Sequence, residues 1–87
     1  MREIKKKIWP EYFQLIQDGK KTNDLRLADF ECSEGDTLIL KEWDPNTLEY
    51  TGREIKKLIT HITKTKDQEF WNKEEVDKHG FQVISFK

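Results

Sequence analysis

Hydrophobic and polar residues alternate in short stretches at the beginning, in the middle and at the end of the chain. Residues 2–8 put Ile4 and Ile8 on one side of an extended segment whose other side is polar. A period of two is the spacing of side chains along a β-strand. Residues 37–43 contain a Leu-Ile-Leu run, and residues 81–86 alternate again. We predict a strand in each of these places, with residues 37–43 at the centre of the sheet.

Two other stretches carry the signals of short helices. Pro10 suits the first turn of a helix, where its missing N–H is tolerated, and an apolar stripe runs from there to Gly19, a residue that favours helix ends. These signals predict a helix over residues 10–18. Asn72 with a glutamate three residues later resembles a capping box, which predicts a second helix over residues 73–79.

The segment 53–63 fits two structures. Its Ile and Leu residues recur at helical spacing, but the segment is rich in Ile and Thr and follows a turn signal at residues 44–47. We predict a strand with a bulge near residues 56–57. It should form a hairpin with residues 37–43, across a long loop that closes at residues 50–52.

The predicted order of elements is strand, helix, three strands, helix, strand. In a chain of 87 residues, this order predicts a single α+β domain over residues 1–87. Its expected architecture is a small barrel-like sheet flanked by two short helices.

Composition limits the kinds of partner that this domain is expected to have. The formal net charge of −1 excludes the broad positive field of a strongly electrostatic nucleic-acid binder, so any such binding must rely on local lysine clusters. Such clusters lie at residues 5–7, 20–21 and 56–57; alternatively, they are solvated edges that keep strands from aggregating. With one cysteine, Cys32, and no long apolar run, we expect a cytoplasmic protein without a membrane partner.

A second predicted strand carries the candidate site. In a strand over residues 22–27, successive side chains point to opposite faces, so Thr22, Asp24 and Arg26 share one face of that strand. Lys21 supplies a compact cation and Arg26 a planar fork that suits phosphate or a carboxylate. Asp24 supplies a carboxylate that can orient either cation or accept a hydrogen bond from the edge of a base. Together these groups could hold an anionic ligand.

Other interpretations of these residues stay open. Lys20 adds a second cation, and Trp9 offers a stacking surface for a base, although we favour a place for Trp9 in the core. Alternatively, Asp24 and Arg26 form an ion pair that closes the barrel.

A motif that includes these residues resembles a known family. Gly19-x-Lys21-x-x-Asp24-x-Arg26 resembles the G-x-K-x-x-E-x-R signature of ASCH domains, a branch of the PUA-like superfamily. Asp24 stands where the signature has glutamate. Neighbouring runs within residues 3–63 are similar to a small bacterial and phage subfamily of uncharacterised function. The resemblance implies a PUA-like β-barrel with helices at its sides.

The resemblance also implies a cleft that accepts RNA or a nucleotide-like small molecule. We therefore expect a binding module without a cofactor, whose candidate ligand-binding residues are Trp9, Lys20, Lys21, Thr22, Asp24 and Arg26.

An enzyme is the alternative that the resemblance allows. Some members of the ASCH group are small amidohydrolases that act on acetylated cytidine and use the motif lysine. This likeness makes Lys21 and Asp24 the candidate catalytic residues of a hydrolase, with Glu69 or Glu74 assisting proton transfer. A protein-interaction role is a third alternative. No metal site is expected, because the histidines lack supporting ligands at metal-binding spacing.

Overall fold

Five strands and one helix are defined in the part of the chain that the computed structural model describes, which is residues 1–64, 74, 77 and 80–87. In chain order they are β1 (Glu3–Ile8), α1 (Pro10–Gln17), β2 (Asn23–Leu27), β3 (Thr37–Asp44), β4 (Glu49–Lys64) and β5 (Phe81–Phe86). The predicted strands at both ends and in the middle of the chain are confirmed, as are the first helix and the second strand.

The strands form one mixed sheet in the order β1-β3-β4-β5-β2. β1 runs parallel to β3, with Glu3 opposite Thr37 and Ile8 opposite Glu42. The remaining neighbours are antiparallel. β3 is an interior strand, but β4 occupies the middle position that we predicted for β3. The domain is therefore a small mixed α+β domain, with β1 and β2 as the outer strands.

β4 is a strand throughout, which resolves the ambiguity of residues 53–63, but two details of the prediction are wrong. Residues 50–52 lie inside β4, so the hairpin loop is shorter than expected. Residues 56–57 pair regularly with β3, and β4 is irregular on either side of them: between Tyr50 and Glu54 opposite β3, and between Ile59 and His61 opposite β5. At the first irregularity, Gly52 with its φ of 98° lets β4 accommodate the extra residues.

The core forms between the inward side of the sheet and α1. Its members are Ile8, Phe13, Ile16, Cys32, Leu38, Leu40, Ile59, Ile84 and Phe86. The alternation along β1, β3 and β5 and the apolar stripe of α1 bring these side chains together.

The end of α1 sets the direction of the chain toward β2. The backbone N–H of Lys20 donates to the carbonyl of Leu15, and that of Gly19 donates to the carbonyl of Ile16. These two bonds form a Schellman motif, which needs a left-handed residue, and Gly19 has a φ of 77°. Lys20 therefore leaves the helix axis immediately after the turn.

An ion pair between the buried Glu42 and the half-exposed Arg53 joins the β3–β4 hairpin to α1. Arg53 donates from Nε and Nη2 to the two carboxylate oxygens of Glu42, over 2.9 and 2.6 Å, and Thr51 donates its hydroxyl to the same carboxylate. The guanidinium lies 4.7 Å from the ring centre of Phe13 on α1. The hydrogen bonds from Arg53, with a smaller contribution from Thr51, hold the pKa of Glu42 below its ordinary value.

The second helix of the prediction, over residues 73–79, lies outside the described residues except for Glu74 and Asp77, whose backbone is helical. Across the described ranges, no helix combines the length and the apolar character that crossing a bilayer requires.

Acid should destabilise the fold as Glu42 becomes protonated. Because its pKa is depressed in the folded state, the stabilisation from Glu42 is complete above its ordinary value of 4.5 and is lost as the pH falls through the folded-state value. We expect Glu42→Gln to lower the free energy of unfolding near neutral pH by about 1–3 kcal/mol and to flatten its dependence on acid pH. Urea denaturation at a series of pH values measures both effects.

Glu54→Gln is the matched control, because Glu54 is exposed on β4. It should keep the pH dependence of the wild type. If Glu42→Gln also kept the pH dependence of the wild type, that result would contradict Glu42 as the group whose protonation destabilises the fold.

Candidate functional site

A cleft with a volume of about 400 Å³ lies where β1 passes into α1. β2 forms its opposite wall and the end of β3 contributes one further side. The residues that line it are Lys7, Ile8, Trp9, Tyr12, Asp24, Leu25, Arg26 and Trp43.

Asp24 and Arg26 form an ion pair in this wall, which is one of the alternatives that the sequence left open. Their side chains are only 10% and 19% exposed, respectively. Arg26 donates from Nε to Oδ2 of Asp24 and from Nη2 to the backbone carbonyl of Lys7. Arg26 thus connects β2 to β1, the two outer strands of the sheet.

This arrangement changes the chemistry expected of the pair. Two of the five N–H donors of Arg26, one on Nε and one on Nη2, are already used inside the protein, so fewer of them remain for a phosphate. Asp24 keeps one unused acceptor, because Oδ1 has no hydrogen-bond partner among the described residues. The only unpartnered side-chain atom buried from solvent in those residues is Nε2 of Gln82, so Oδ1 of Asp24 retains contact with solvent.

Aromatic side chains supply much of the remaining wall. Trp9 is 48% exposed and Tyr12 44% exposed, while Trp43 is partly buried. Our preference for Trp9 in the core is wrong. Its backbone carbonyl caps the start of α1 by accepting from Tyr12 and Phe13, and the neighbouring Ile8 and Phe13 take the inward positions. The indole is therefore left at the surface beside the cleft.

The remaining predicted site residues lie outside the lining of the cleft. Lys20 and Thr22 are exposed. Nζ of Lys21 lies 3.4 Å from Oδ1 of Asn23 and 5.9 Å from the ring centre of Tyr12, so Lys21 is near a residue of the cleft but does not line it. Of the predicted residues, the structure brings together Trp9, Asp24 and Arg26.

Five of the eight residues that line the cleft were not predicted from the sequence, namely Lys7, Ile8, Tyr12, Leu25 and Trp43. Nζ of Lys7 lies 4.5 Å from the ring centre of Trp43. Trp43 has the same parity along β3 as Lys41, and this parity is opposite to that of the buried Leu40. The buried Ile39 shares this parity, so the alternation alone does not say on which side of β3 Trp43 lies.

Other titratable groups do not gather into a site in the described residues. Nδ1 of His61 lies 3.3 Å from Oε1 of Glu34, and both side chains are exposed. No three His, Cys, Asp or Glu side chains in the described part of the chain are grouped to hold a metal ion. Cys32 is buried, and burial raises the pKa of its thiol. Glu74 is exposed, whereas Glu69 lies outside the described residues.

The Asp24–Arg26 pair should show a measurable coupling in a double-mutant cycle. Removing either side chain leaves its mostly buried partner unpaired, so Asp24→Ala and Arg26→Ala should each lower the free energy of unfolding. We expect the double variant to lose about 1–3 kcal/mol less than the sum of the single losses. Urea denaturation of the four proteins measures this difference. As a control, the stability losses of Glu54→Ala and Arg26→Ala should add up in their double variant. Additive losses for Asp24→Ala and Arg26→Ala would contradict the ion pair.

A phage protein resembles most of this chain. A protein of Escherichia phage P2, described as an uncharacterized 12.9 kDa protein in the GpA 3′ region, is 39% identical over 61 residues, which are 70% of this chain. The chain spans 54% of the length of that relative.

A solved structure shows that the fold recurs elsewhere. The crystal structure of hypothetical protein PH0355 has a TM-score of 0.67 to this chain at 20% identity, and the match covers 100% of this chain and 98% of the other. At the level of sequence, the model of a domain of unknown function, DUF3850, matches residues 4–76. That match takes in most of the chain, β1 to β4 and all the residues of the cleft included, so this protein belongs to the DUF3850 family.

Proposed function

We propose that this domain binds RNA or a nucleotide-like ligand in the cleft. The observation that carries the proposal is the convergence of three aromatic side chains, Trp9, Tyr12 and Trp43, with a lysine and a carboxylate around about 400 Å³. Pockets for small ligands usually have volumes of about 300–1,000 Å³ and combine apolar walls with a few polar groups. The cleft meets both conditions.

The aromatic groups suit the flat face of a base. RNA-binding proteins that read unpaired nucleotides stack the bases on aromatic side chains, and each stacked base contributes about 1–3 kcal/mol. Trp9 and Tyr12 are about half exposed. Because about half of each side chain is already out of contact with water, covering the rest with a base costs little further desolvation of the protein. A base inserted beside Trp9 would therefore bury apolar area on both partners.

The polar groups suit the edge and the phosphate of the same ligand. Oδ1 of Asp24 can accept a hydrogen bond from an amino or imino group of a base. Lys7 carries a positive charge into the cleft beside Trp43, where it can contact a phosphate. In this proposal Arg26 orients Asp24, and Lys7 takes the phosphate-binding role that the sequence suggested for Arg26.

We also propose that the sheet curls into a PUA-like barrel, as the resemblance to ASCH domains implies. The hydrogen bond from Arg26 to the Lys7 carbonyl supports this, because it spans from β2 to β1, the opposite ends of the strand order. Closure of a sheet removes the exposed edges that favour aggregation.

Binding is favoured over the hydrolase alternative by the position of Lys21. The motif lysine is the candidate general base of the hydrolase, but it is not among the residues that line the cleft. The hydrolase and the protein-interaction role stay predictions. Acetate release from acetylated cytidine that is lost in Lys21→Ala would favour the hydrolase instead.

Titration with cytidine monophosphate tests the binding proposal. In ¹⁵N-resolved NMR spectra, the indole N–H signals of Trp9 and Trp43 and the backbone signal of Asp24 should shift. Trp9→Ala should weaken binding by about 5- to 150-fold, which corresponds to one stacked base. Lys7→Ala should weaken binding more than Lys21→Ala does.

Leu15→Ala is the control, because Leu15 is a partly exposed residue of α1 outside the cleft. It should bind as the wild type does. No shift at these positions with millimolar nucleotide, in a protein that is folded, would refute the proposal.

A further inference from the structure

We propose that the cleft holds one nucleotide of a single-stranded RNA, and that the RNA backbone continues from there into a second groove. We call this second site the lysine groove; it has a volume of about 260 Å³ and is lined by Lys5, Lys6, Lys7, Lys41 and Tyr50. The inference rests on the proposed function and extends it, since the ligand becomes an oligonucleotide.

The lysine groove and the cleft are neighbours. Lys7 lines both of them. On β3, Lys41 of the groove and Trp43 of the cleft are two residues apart and so lie on the same face of the sheet. Trp43 is paired with Tyr50, another residue of the groove. An RNA strand that leaves the cleft past Lys7 therefore meets the lysine groove next.

The charges of the groove are not neutralised by the protein. In the described residues, Lys5, Lys7 and Lys41 form no ion pair and no side-chain hydrogen bond, whereas nearby Lys56 lies 3.9 Å from a carboxylate oxygen of Glu3. The ammonium groups of Lys7 and Lys41 instead lie over aromatic rings, 4.5 Å from the centre of Trp43 and 4.8 Å from the centre of Tyr50. Such contacts position a cation and leave its charge available.

Protection of a sheet edge does not account for this arrangement. Lys5 and Lys7 lie on the outer strand β1, where lysines discourage aggregation, but Lys41 lies on the interior strand β3. Lys7 and Lys41 are also directly opposite each other in the sheet, and like charges at such positions destabilise it. Glu54 pairs with Lys41 from the other side and yet forms no ion pair with it in the described residues. A phosphate between the two lysines would relieve the repulsion.

The alternation of cations and aromatic rings favours a single strand over other polyanions. Bases are free to stack on protein rings only when they are unpaired, and single-strand binders combine such rings with a positive groove that follows the backbone. An acidic peptide would use the lysines but would leave Trp9 and Tyr12 of the cleft without a partner.

The test compares cytidine monophosphate with a tetracytidylate RNA by fluorescence and NMR titration of the full chain at several salt concentrations. Each phosphate contacted by a single strand adds about 0.7 to the slope of log affinity against log salt. With two further contacts, at Lys5 and Lys41, the affinity for the tetranucleotide should fall about 7-fold more than that for the mononucleotide between 50 and 200 mM salt. In the variant Lys5→Gln/Lys41→Gln this extra salt dependence should disappear, while mononucleotide binding is kept.

The control variant Lys56→Gln/Lys87→Gln removes the same charge outside the groove and should behave as the wild type. Equal affinity and salt dependence for the two ligands would refute the lysine groove and leave the cleft intact. Failure of both ligands to bind would refute the proposed function itself. Competition by polyglutamate as strong as by the tetranucleotide would assign the groove to an acidic protein segment and refute the RNA assignment.

Discussion

The guanidinium of Arg26 joins two parts of the molecule that the strand order places at opposite ends. It pairs with Asp24 on its own strand, β2, and donates to the Lys7 carbonyl on β1. An outer strand presents backbone groups without a neighbouring strand, and this hydrogen bond gives one of them a partner. Because the cleft has its walls on β1 and β2, the same guanidinium also sets the spacing of those walls. Both the shape of the sheet and the geometry of the candidate site depend on it.

The ion pair carries an energetic cost that clarifies its role. Asp24 and Arg26 have lost most of their contact with water, and burial of two charges is repaid only when the geometry and the additional hydrogen bonds are good. Arg26 meets this condition through the Lys7 carbonyl. Asp24 does not use all of its acceptors, because Oδ1 stays without a partner in the described residues. A carboxylate that is held rigidly and has one free oxygen is well suited to accept a hydrogen bond from a specific donor on a ligand.

The start and the end of α1 distribute the aromatic and cationic groups around this pair. Pro10 and the capping carbonyl of Trp9 begin the helix, which leaves the indole beside the cleft. The Schellman motif at Gly19 turns the chain outward, so Lys20 leaves the helix away from the cleft. The lysine that lines the cleft is Lys7, which comes from β1 and not from the motif. The helix end thus keeps Lys20 out of the cleft, whereas the pairing of β1 with β3 brings Lys7 to it.

Local patterns sufficed for most of the elements, because a period of two, a proline and a glycine each act on neighbouring residues. They placed β1, α1, β2, β3 and β5, and they put Asp24 and Arg26 on one face of β2. They did not locate the two irregularities of β4, which depend on how its residues pair with β3 around Gly52 and with β5 after Ile59. They also could not bring Lys7 and Trp43 to the wall opposite Asp24, because that proximity arises only when strands distant in the chain pair and the outer strands approach each other. Which residues are charged or aromatic is written in the chain, but which of them share a cleft is a property of the folded sheet.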